Sequence, residues 1–215
     1  EDKIVEIKRI DDFYTSTNVY ILSDDETKEA AVVDPGGSPN EVIEYLKEEG
    51  LGLKYVILTH GHADHIGYVK DILAYKKVPV VAHKDEKEML NDSSYNLSNM
   101  MRCGKTEFDA DIYVDDRDSL YLGKTKLLFI HTPGHTEGGM CIRTENNLIT
   151  GDTLFKGSMG RCDLRGGDER KMKKSLNKIK KFENEIAVYP GHGEPTVLGH
   201  EKQNNPYLST RYIGE

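Results

Sequence analysis

The sequence predicts an α/β fold, and three observations carry that reading. Short runs rich in β-branched residues alternate with segments of helical period, the pattern of a sheet covered by helices. Two such blocks of strands followed by helices succeed one another and hint at two similar halves, with no residue-level repeat between them. The chain of 215 residues is long enough for one sizeable core, and with no internal linker a single domain over 1–215 is expected rather than two small ones.

The elements follow in order. Ile4 to Ile10, Val19 to Leu22 and Ala30 to Val33 are short, partly alternating runs that predict an antiparallel meander, stopped by Asp34-Pro35-Gly36-Gly37. Ser38-Pro39-Asn40-Glu41 then supplies an N-cap, a proline at the first helical position and a capping-box glutamate, while Val42, Ile43 and Leu46 form one apolar stripe that ends before Gly50. Lys54 to Thr59 reads as a buried strand and Asp64 to Lys76 as the helix after it. A strand at Val78 to Ala82 and a short helix near Lys84 to Leu90 continue the alternation. Asn91 to Thr106, with its Ser, Asn and Met content, reads as irregular, either bordering a site or making a plain surface excursion.

A second sheet is expected to begin at Ile112 to Val114 and to run through Ser119 to Leu122, Lys126 to Ile130, Met140 to Arg143 and Leu148 to Ile149. Glu169 to Phe182 is a helix whose lysines, Lys171, Lys173, Lys174, Lys178, Lys180 and Lys181, read as a solvated face around Leu176 and Ile179. Ala187 to Tyr189 is a short strand, and a last helix starts near Leu198.

The bulk numbers exclude several functions. A formal charge of -8 argues against a surface that tracks phosphates, so nucleic acid is not an expected partner. No apolar stretch approaches the roughly 18 to 20 residues of a membrane helix, and Glu1-Asp2-Lys3 does not read as a secretory signal. The three cysteines, Cys103, Cys141 and Cys162, are odd in number and form no CxxC pair, which fits a reducing cytoplasm and argues against a disulfide framework or a closed structural zinc site. The oligomeric state is open.

One segment carries the chemistry. His60-Gly61-His62-Ala63-Asp64-His65 places three imidazoles and a carboxylate within six residues, a donor set suited to zinc, iron or manganese. Further polar clusters punctuate later strand ends: His131-Thr132-Pro133-Gly134-His135, Thr150-Gly151-Asp152, Gly160-Arg161 and Pro190-Gly191-His192-Gly193. A reactive pair of ions needs two open-sided ligand sets and one bridging oxygen donor. We assign His60, His62 and His135 to one ion, Asp64, His65 and His192 to the other, and Asp152 between them. His83, His131 and His200 stay outside the set as ordinary hydrogen-bonded or exposed histidines. Asp34 reads either as a buried carboxylate orienting the ligand turn or as a simple Asp-Pro-Gly turn former.

The HxHxDH segment with its downstream His, Asp and His resembles the metallo-β-lactamase superfamily, from about Ile4 to Leu208. Val33-Asp34-Pro35-Gly36, Gly151-Asp152-Thr153-Leu154-Phe155, Gly160-Arg161-Cys162-Asp163 and Asn205-Pro206-Tyr207-Leu208 extend the similarity to short glyoxalase II-like hydrolases. The resemblance implies a four-layer αβ/βα sandwich with the site along one edge of the sheets, and the same metal-ligand roles for the seven residues. It also implies two divalent ions, zinc foremost, and hydrolysis of a small acyl-thiol substrate by a metal-bridged hydroxide, with Asp64 orienting that oxygen or receiving its proton.

Arg161 is the cation that motif places beside the metals, a candidate for gripping a substrate carboxylate; its alternative is a salt bridge to Asp163 or Asp168. Cys162 reads as a small buried thiol. Full-length glyoxalase II enzymes contribute glutathione contacts from a C-terminal helical extension, whereas this sequence stops at Glu215, so glutathione specificity does not carry over. Rival readings are an iron-dependent persulfide dioxygenase, which shares Gly160-Arg161, a lactonase or β-lactamase, and a metal-binding protein without turnover. Acidic charge disfavours an RNA-processing relative.

Overall fold

Every residue of Asn18–Asp24 is buried, so this strand needs packing on both faces, and its alternation divides two cores. In the computed structural model, which describes residues 5–214, Val19 and Ile21 face one hydrophobic cluster and Tyr20 and Leu22 another. That division sets up the layering of the whole chain.

The first sheet opens as the expected meander, β1 (Val5–Asp11), β2 (Asn18–Asp24) and β3 (Glu29–Val33), paired antiparallel; Ile4 lies outside the described residues. The helix α1 (Pro39–Glu48) returns the chain to β4 (Gly52–Ile57), parallel to β3. The short helices α2 (Ala63–Ile66) and α3 (Val69–Tyr75) precede β5 (Val80–His83), and a 3-10 turn at Lys84–Glu86 leads into α4 (Lys87–Leu90). After a single 3-10 turn at Ser98–Met100, β6 (Ile112–Val114) pairs parallel with β5 and completes six strands in the order β1-β2-β3-β4-β5-β6.

The second sheet contains β7 (Ser119–Leu122), β8 (Thr125–His131), β9 (Met140–Thr144) and β10 (Asn147–Gly151). A small hairpin, β11 (Leu154–Phe155) with β12 (Ser158–Met159), is followed by α5 (Glu169–Lys180), β13 (Ala187–Pro190) and β14 (Thr196–Val197). The helix α6 (Leu198–Asn204), a 3-10 turn at Pro206–Leu208 and α7 (Thr210–Ile213) follow. The sheet order is β14-β13-β10-β9-β8-β7, with β13 parallel to β10.

Three cores hold four layers together. Val42 and Leu46 of α1 and Ile72 of α3 pack on Val19, Ile21 and Val56. Tyr20, Val33 and Ile57 meet Leu127, Phe129 and Ile149 between the two sheets. Met172, Leu176 and Ile179 of α5 cover Ile130, Leu148 and Val188; Lys171 and Lys174 are exposed as expected, whereas Lys178 is half-buried and donates to Asp116 Oδ1 and His131 O. The order helix, sheet, sheet, helix is the αβ/βα sandwich that the resemblance implied.

Several local expectations are corrected. Ser38 adopts a left-handed conformation, φ 47°, and makes no side-chain cap; its hydroxyl donates to Asp12 Oδ1 at 2.8 Å instead. The helix expected over Asp64 to Lys76 breaks at Gly67–Tyr68 because Tyr68 N–H donates to Pro35 O rather than into the helix. Ile112–Val114 belongs to the first sheet, so the second begins at Ser119. The helix near Lys84 to Leu90 starts as a 3-10 turn, and the two-residue strands β11, β12 and β14 are too short to leave a sequence period. No helix among the described residues is long and apolar enough to cross a membrane.

Phe129 is fully buried between the sheets. Phe129→Ala is expected to destabilise the fold by about 3–5 kcal/mol, read from the midpoint of denaturant unfolding at unchanged slope.

Candidate metal centre

The site lies where four strand ends meet. β4 delivers His60, His62, Asp64 and His65, the last two on α2; the loop after β8 delivers His135, the end of β10 Asp152 and the end of β13 His192. His60, His62 and His135 bring one donor atom each within 4.8 Å of one another, and Asp64, His65, Asp152 and His192 do the same. His62 Nδ1 lies 3.0 Å from His135 Nε2, and His65 Nε2 lies 3.3 Å from His192 Nε2. Asp152 stands between the groups, with Oδ2 3.7 Å from His60 Nε2, 3.3 Å from His135 Nε2 and 3.3 Å from His192 Nε2, and Oδ1 3.2 Å from His65 Nε2.

The outer nitrogens explain why the inner ones converge. Asp34 is buried at φ 52°, and its carboxylate accepts from Thr59 N–H at 2.7 Å, Thr59 O–H at 2.6 Å and His65 Nδ1 at 2.8 Å. The Thr59 proton is thus committed to Asp34, so its hydroxyl oxygen accepts from His60 Nδ1 at 3.1 Å. His135 Nδ1 donates to Arg161 O at 2.7 Å, and His192 Nδ1 donates to Ser16 O at 2.8 Å. Each of these four rings is held at one nitrogen, which fixes the tautomer and points the other lone pair inward. The buried atoms His60 Nε2 and Asp152 Oδ1 have no hydrogen-bond partner among the described residues. Facing lone pairs and orphaned buried donors fit a pair of cations.

Electrostatics separate the two groups. Burial depresses the pKa of His60 well below 6.5 and that of His62 to about 4, with the neighbouring rings adding to the effect. Burial also opposes charge on His65 and His192. There the carboxylates outweigh it: Asp152, Asp64 and Asp34 raise His65, and hydrogen bonds to Asp152 and Asp64 bring His192 to about 10. The second position therefore attracts positive charge, and an ion bound there displaces protons.

Close approach is built into the backbone. A Cβ at Gly191 would lie 2.4 Å from Asp152 Oδ1, and one at Gly160 would lie 1.7 Å from Asp152 O, so glycine is required at both positions. The first sheet is stitched to this edge: Asn18 N donates to Gly191 O, Asn18 Nδ2 to Pro190 O and Gly193 O, and Tyr20 O–H to Pro190 O at 2.6 Å.

The residues assigned from sequence come together. Asp34 is the buried carboxylate behind His65, and its Asp-Pro-Gly turn coexists with that contact. Arg161 lines the cavity over the site, but its guanidinium forks onto Asp163 at 2.6 and 2.8 Å, so the salt bridge is present. Cys162 is only half-buried, and burial pushes its thiol up to about 11. His83 and His131 stack on each other at 3.8 Å, and His200 is exposed. The irregular segment borders the site through Leu97 and Met101.

Sequence reasoning missed Glu86. This fully buried carboxylate accepts from Gly61 N–H at 2.9 Å, Thr136 O–H at 2.7 Å and Gly138 N–H at 3.1 Å, so it pins the turns that carry His60, His62 and His135. Among Asp85, Glu86 and Glu88 no spacing marks the inward one. Thr59 and the carbonyls of Ser16 and Arg161 were likewise silent, since their roles arise from folding.

Two mixed sheets flanked by helices, with His and Asp donors gathered where their strand ends meet, define a metallo-hydrolase. The chain belongs to the metallo-beta-lactamase superfamily, whose family model matches residues 14–192. It is similar to the probable metallo-hydrolase YqgX of Bacillus subtilis, 34% identical over 194 residues that cover 88% of this chain and 90% of that one. It is 32% identical over 203 residues to the hydroxyacylglutathione hydrolase GloC of Haemophilus influenzae, covering 90% and 93% of the two chains. The crystal structure of the BLEG-1 B3 metallo-beta-lactamase superposes with a TM-score of 0.88 at 36% identity, over 95% of this chain and 100% of that one.

Asp34→Ala frees the His65 ring and is expected to weaken metal binding about 10–100-fold, measured by chelator competition. Burial, working against its three hydrogen bonds, raises Glu86 from 4.5 to about 7. A carboxyl with a raised folded-state pKa contributes stability that is full below pH 4.5 and is lost as pH rises through 7. Relative to Glu86→Gln, the metal-stripped wild type should lose about 3 kcal/mol between pH 4.5 and 8, read by urea unfolding at each pH; a flat difference contradicts the assignment.

Proposed function

We propose that this chain is a binuclear metal-dependent hydrolase acting on a thioester or related small acyl substrate in the manner of glyoxalase II. The observation that carries the reading is the cavity of about 470 Å³ over the site, into which His62, Asp64, His135, Asp152 and His192 project. No serine, threonine or cysteine is among its lining residues, so the attacking oxygen comes from solvent. His60, His62 and His135 would hold one ion, Asp64, His65 and His192 the other, and Asp152 would lie between them. Two divalent ions, when bound, acidify a shared water toward a pKa of about 7 and polarise the carbonyl under attack. Imidazole and carboxylate donors suit zinc foremost, with iron or manganese fitting the same set.

The chain's own groups supply the rest. Asp64 is part-exposed on the cavity wall; burial opposes its charge, but His65 and His192 keep its carboxyl below the usual range. It is thus ionised at neutral pH and able to orient the water or take its proton. In a thioester the new C–O bond forms as the C–S bond breaks, and the sulfur leaves as thiolate with little need of an acid. The similarity to the Haemophilus hydroxyacylglutathione hydrolase supports this substrate class, while the thiol carrier is chosen outside the metal centre.

Protein reconstituted with zinc, iron or manganese and quantified for metal should be challenged with thioesters, lactones and a thiol persulfide. Thioester hydrolysis at about two ions per chain is the expected outcome; oxygen consumption with the persulfide in iron-loaded protein would favour a dioxygenase instead. His62→Ala should retain its circular dichroism while losing metal and more than about a hundredfold in turnover. Undiminished catalysis by that purified variant would defeat the assignment.

A further inference from the structure

The Asn205-Pro206-Tyr207-Leu208 segment contributes no metal donor, yet Asn205 is buried and every polar atom of its side chain is engaged. Its Nδ2 donates to Phe155 O at 3.1 Å, Ser158 O at 3.0 Å and Glu201 Oε1 at 3.2 Å, and its Oδ1 accepts from Tyr207 N–H at 3.0 Å. Glu201, one turn earlier on α6 and also buried, accepts from Gly157 N–H and, at 2.9 Å, from Thr196 O–H. Two buried side chains at the end of α6 thus hold three backbone groups of the β11–β12 hairpin.

That hairpin depends on outside support. Its strands are two residues each, joined through Lys156 and Gly157, with Gly157 at φ 71°, and an isolated two-stranded hairpin is marginally stable at best. Thr150 O–H holds the base through Leu154 O at 2.7 Å, while the tip is held from α6. The hairpin leaves shortly after Asp152 and returns at Gly160, beside Arg161, whose carbonyl holds His135. Phe155 and Met159 reach from it into the wall of the cavity over the metal centre, and the Phe155 ring stands edge-on to His192 at 5.9 Å. The guanidinium of Arg161 is spent on Asp163, and apart from the metal donors the wall is otherwise apolar, Leu97, Met101 and Leu164 joining Phe155 and Met159.

We propose that Asn205 and Glu201 are positioning residues that set the β11–β12 hairpin as the wall recognising the acyl group, and that Phe155 on this wall selects for acyl length. The inference rests on the hydrolase reading above and adds a substrate class to it: an acyl group with a hydrocarbon chain longer than acetyl. Each methylene buried against an apolar wall favours the longer chain, and a cavity of about 470 Å³ has room for it. Asn205 and Glu201 touch no reacting atom. They act by fixing where Phe155 and Met159 stand, and a wall released at its tip loses the close contact from which selectivity for chain length arises.

Two matched probes test this, S-acetyl- and S-hexanoyl-N-acetylcysteamine, which differ only in the acyl chain. The metal-loaded wild type is expected to favour hexanoyl by about tenfold in kcat/KM, through KM. Phe155→Ala should cut that ratio to about twofold. Asn205→Ala should do the same and add nothing in the double variant, because both changes act at one wall. Glu201→Ala should lose the ratio and Glu201→Gln, which keeps an acceptor for Gly157 N–H, should retain it. Thermal unfolding checks each fold, and Asn205→Ser carries the same expectation should Asn205→Ala fail to fold. A merely structural role would scale both probes alike. A wild type indifferent to acyl length, an unchanged ratio in the Phe155, Asn205 or Glu201 alanine variants, or losses that multiply in the double variant overturn the proposal. Calorimetry with the non-hydrolysable S-(2-oxopropyl) and S-(2-oxoheptyl) thioethers of N-acetylcysteamine separates the two levels. If the wild type hydrolyses neither thioester yet binds the longer ketone more tightly in a way that depends on Phe155 and Asn205, the thioester reading fails and the positioning role stands; equal binding of the two ketones, or a preference indifferent to Asn205, removes that role.

Discussion

Imidazole nitrogens brought within 3.0–3.3 Å of one another, with two carboxylates among them, are the constraint around which this molecule is arranged. Such a cluster repels itself, and the low dielectric of the interior strengthens the repulsion. It persists because the surrounding framework over-determines it. Tyr20, Ile57, Phe129 and Ile149 lock the two sheets face to face, and their strand ends then have no freedom to move the imidazoles apart. The same low dielectric makes the carboxylates between the rings effective partners for positive charge.

The site is shaped as much by backbone as by side chains. Peptide carbonyls at Ser16 and Arg161 hold His192 and His135, while Glu86 grips the amides of Gly61 and Gly138. Asp34 joins its own strand end to Thr59 and His65, so one carboxylate sets both the path of the loop and the tautomer of a ring. The donor side chains are thereby carried on strand ends whose loops are pinned by hydrogen bonds.

Much of this was legible in the sequence, for identifiable reasons. The HxHxDH segment states its purpose because three titratable rings in one turn have no use in a core, and the later His, Asp and His gain meaning from it. Strands such as Asn18–Asp24 and Thr125–His131 declare themselves through β-branched content, and α5 through its period. What failed was decided by tertiary competition. Ser38 looks like a cap until Asp12 claims its hydroxyl, the helix after Asp64 looks continuous until Pro35 claims Tyr68 N–H, and Ile112–Val114 looks like a new sheet although β5 offers the nearer edge. Glu86 was invisible because a lone inward acid among surface acids has no spacing to betray it. Arg161 stands where motif puts it, on the cavity wall, and its guanidinium also makes the salt bridge to Asp163 that was its alternative.

The donors are divided between the halves of the sandwich. His60, His62, Asp64 and His65 follow β4 of the first sheet, whereas His135, Asp152 and His192 follow strands of the second. Each donor group draws on both, so cations seated there would act as rivets across the joint, and separating the layers would strip them from their seats. Ions bound to the folded chain alone would add to its stability by mass action, so the grip between the layers would strengthen with metal supply.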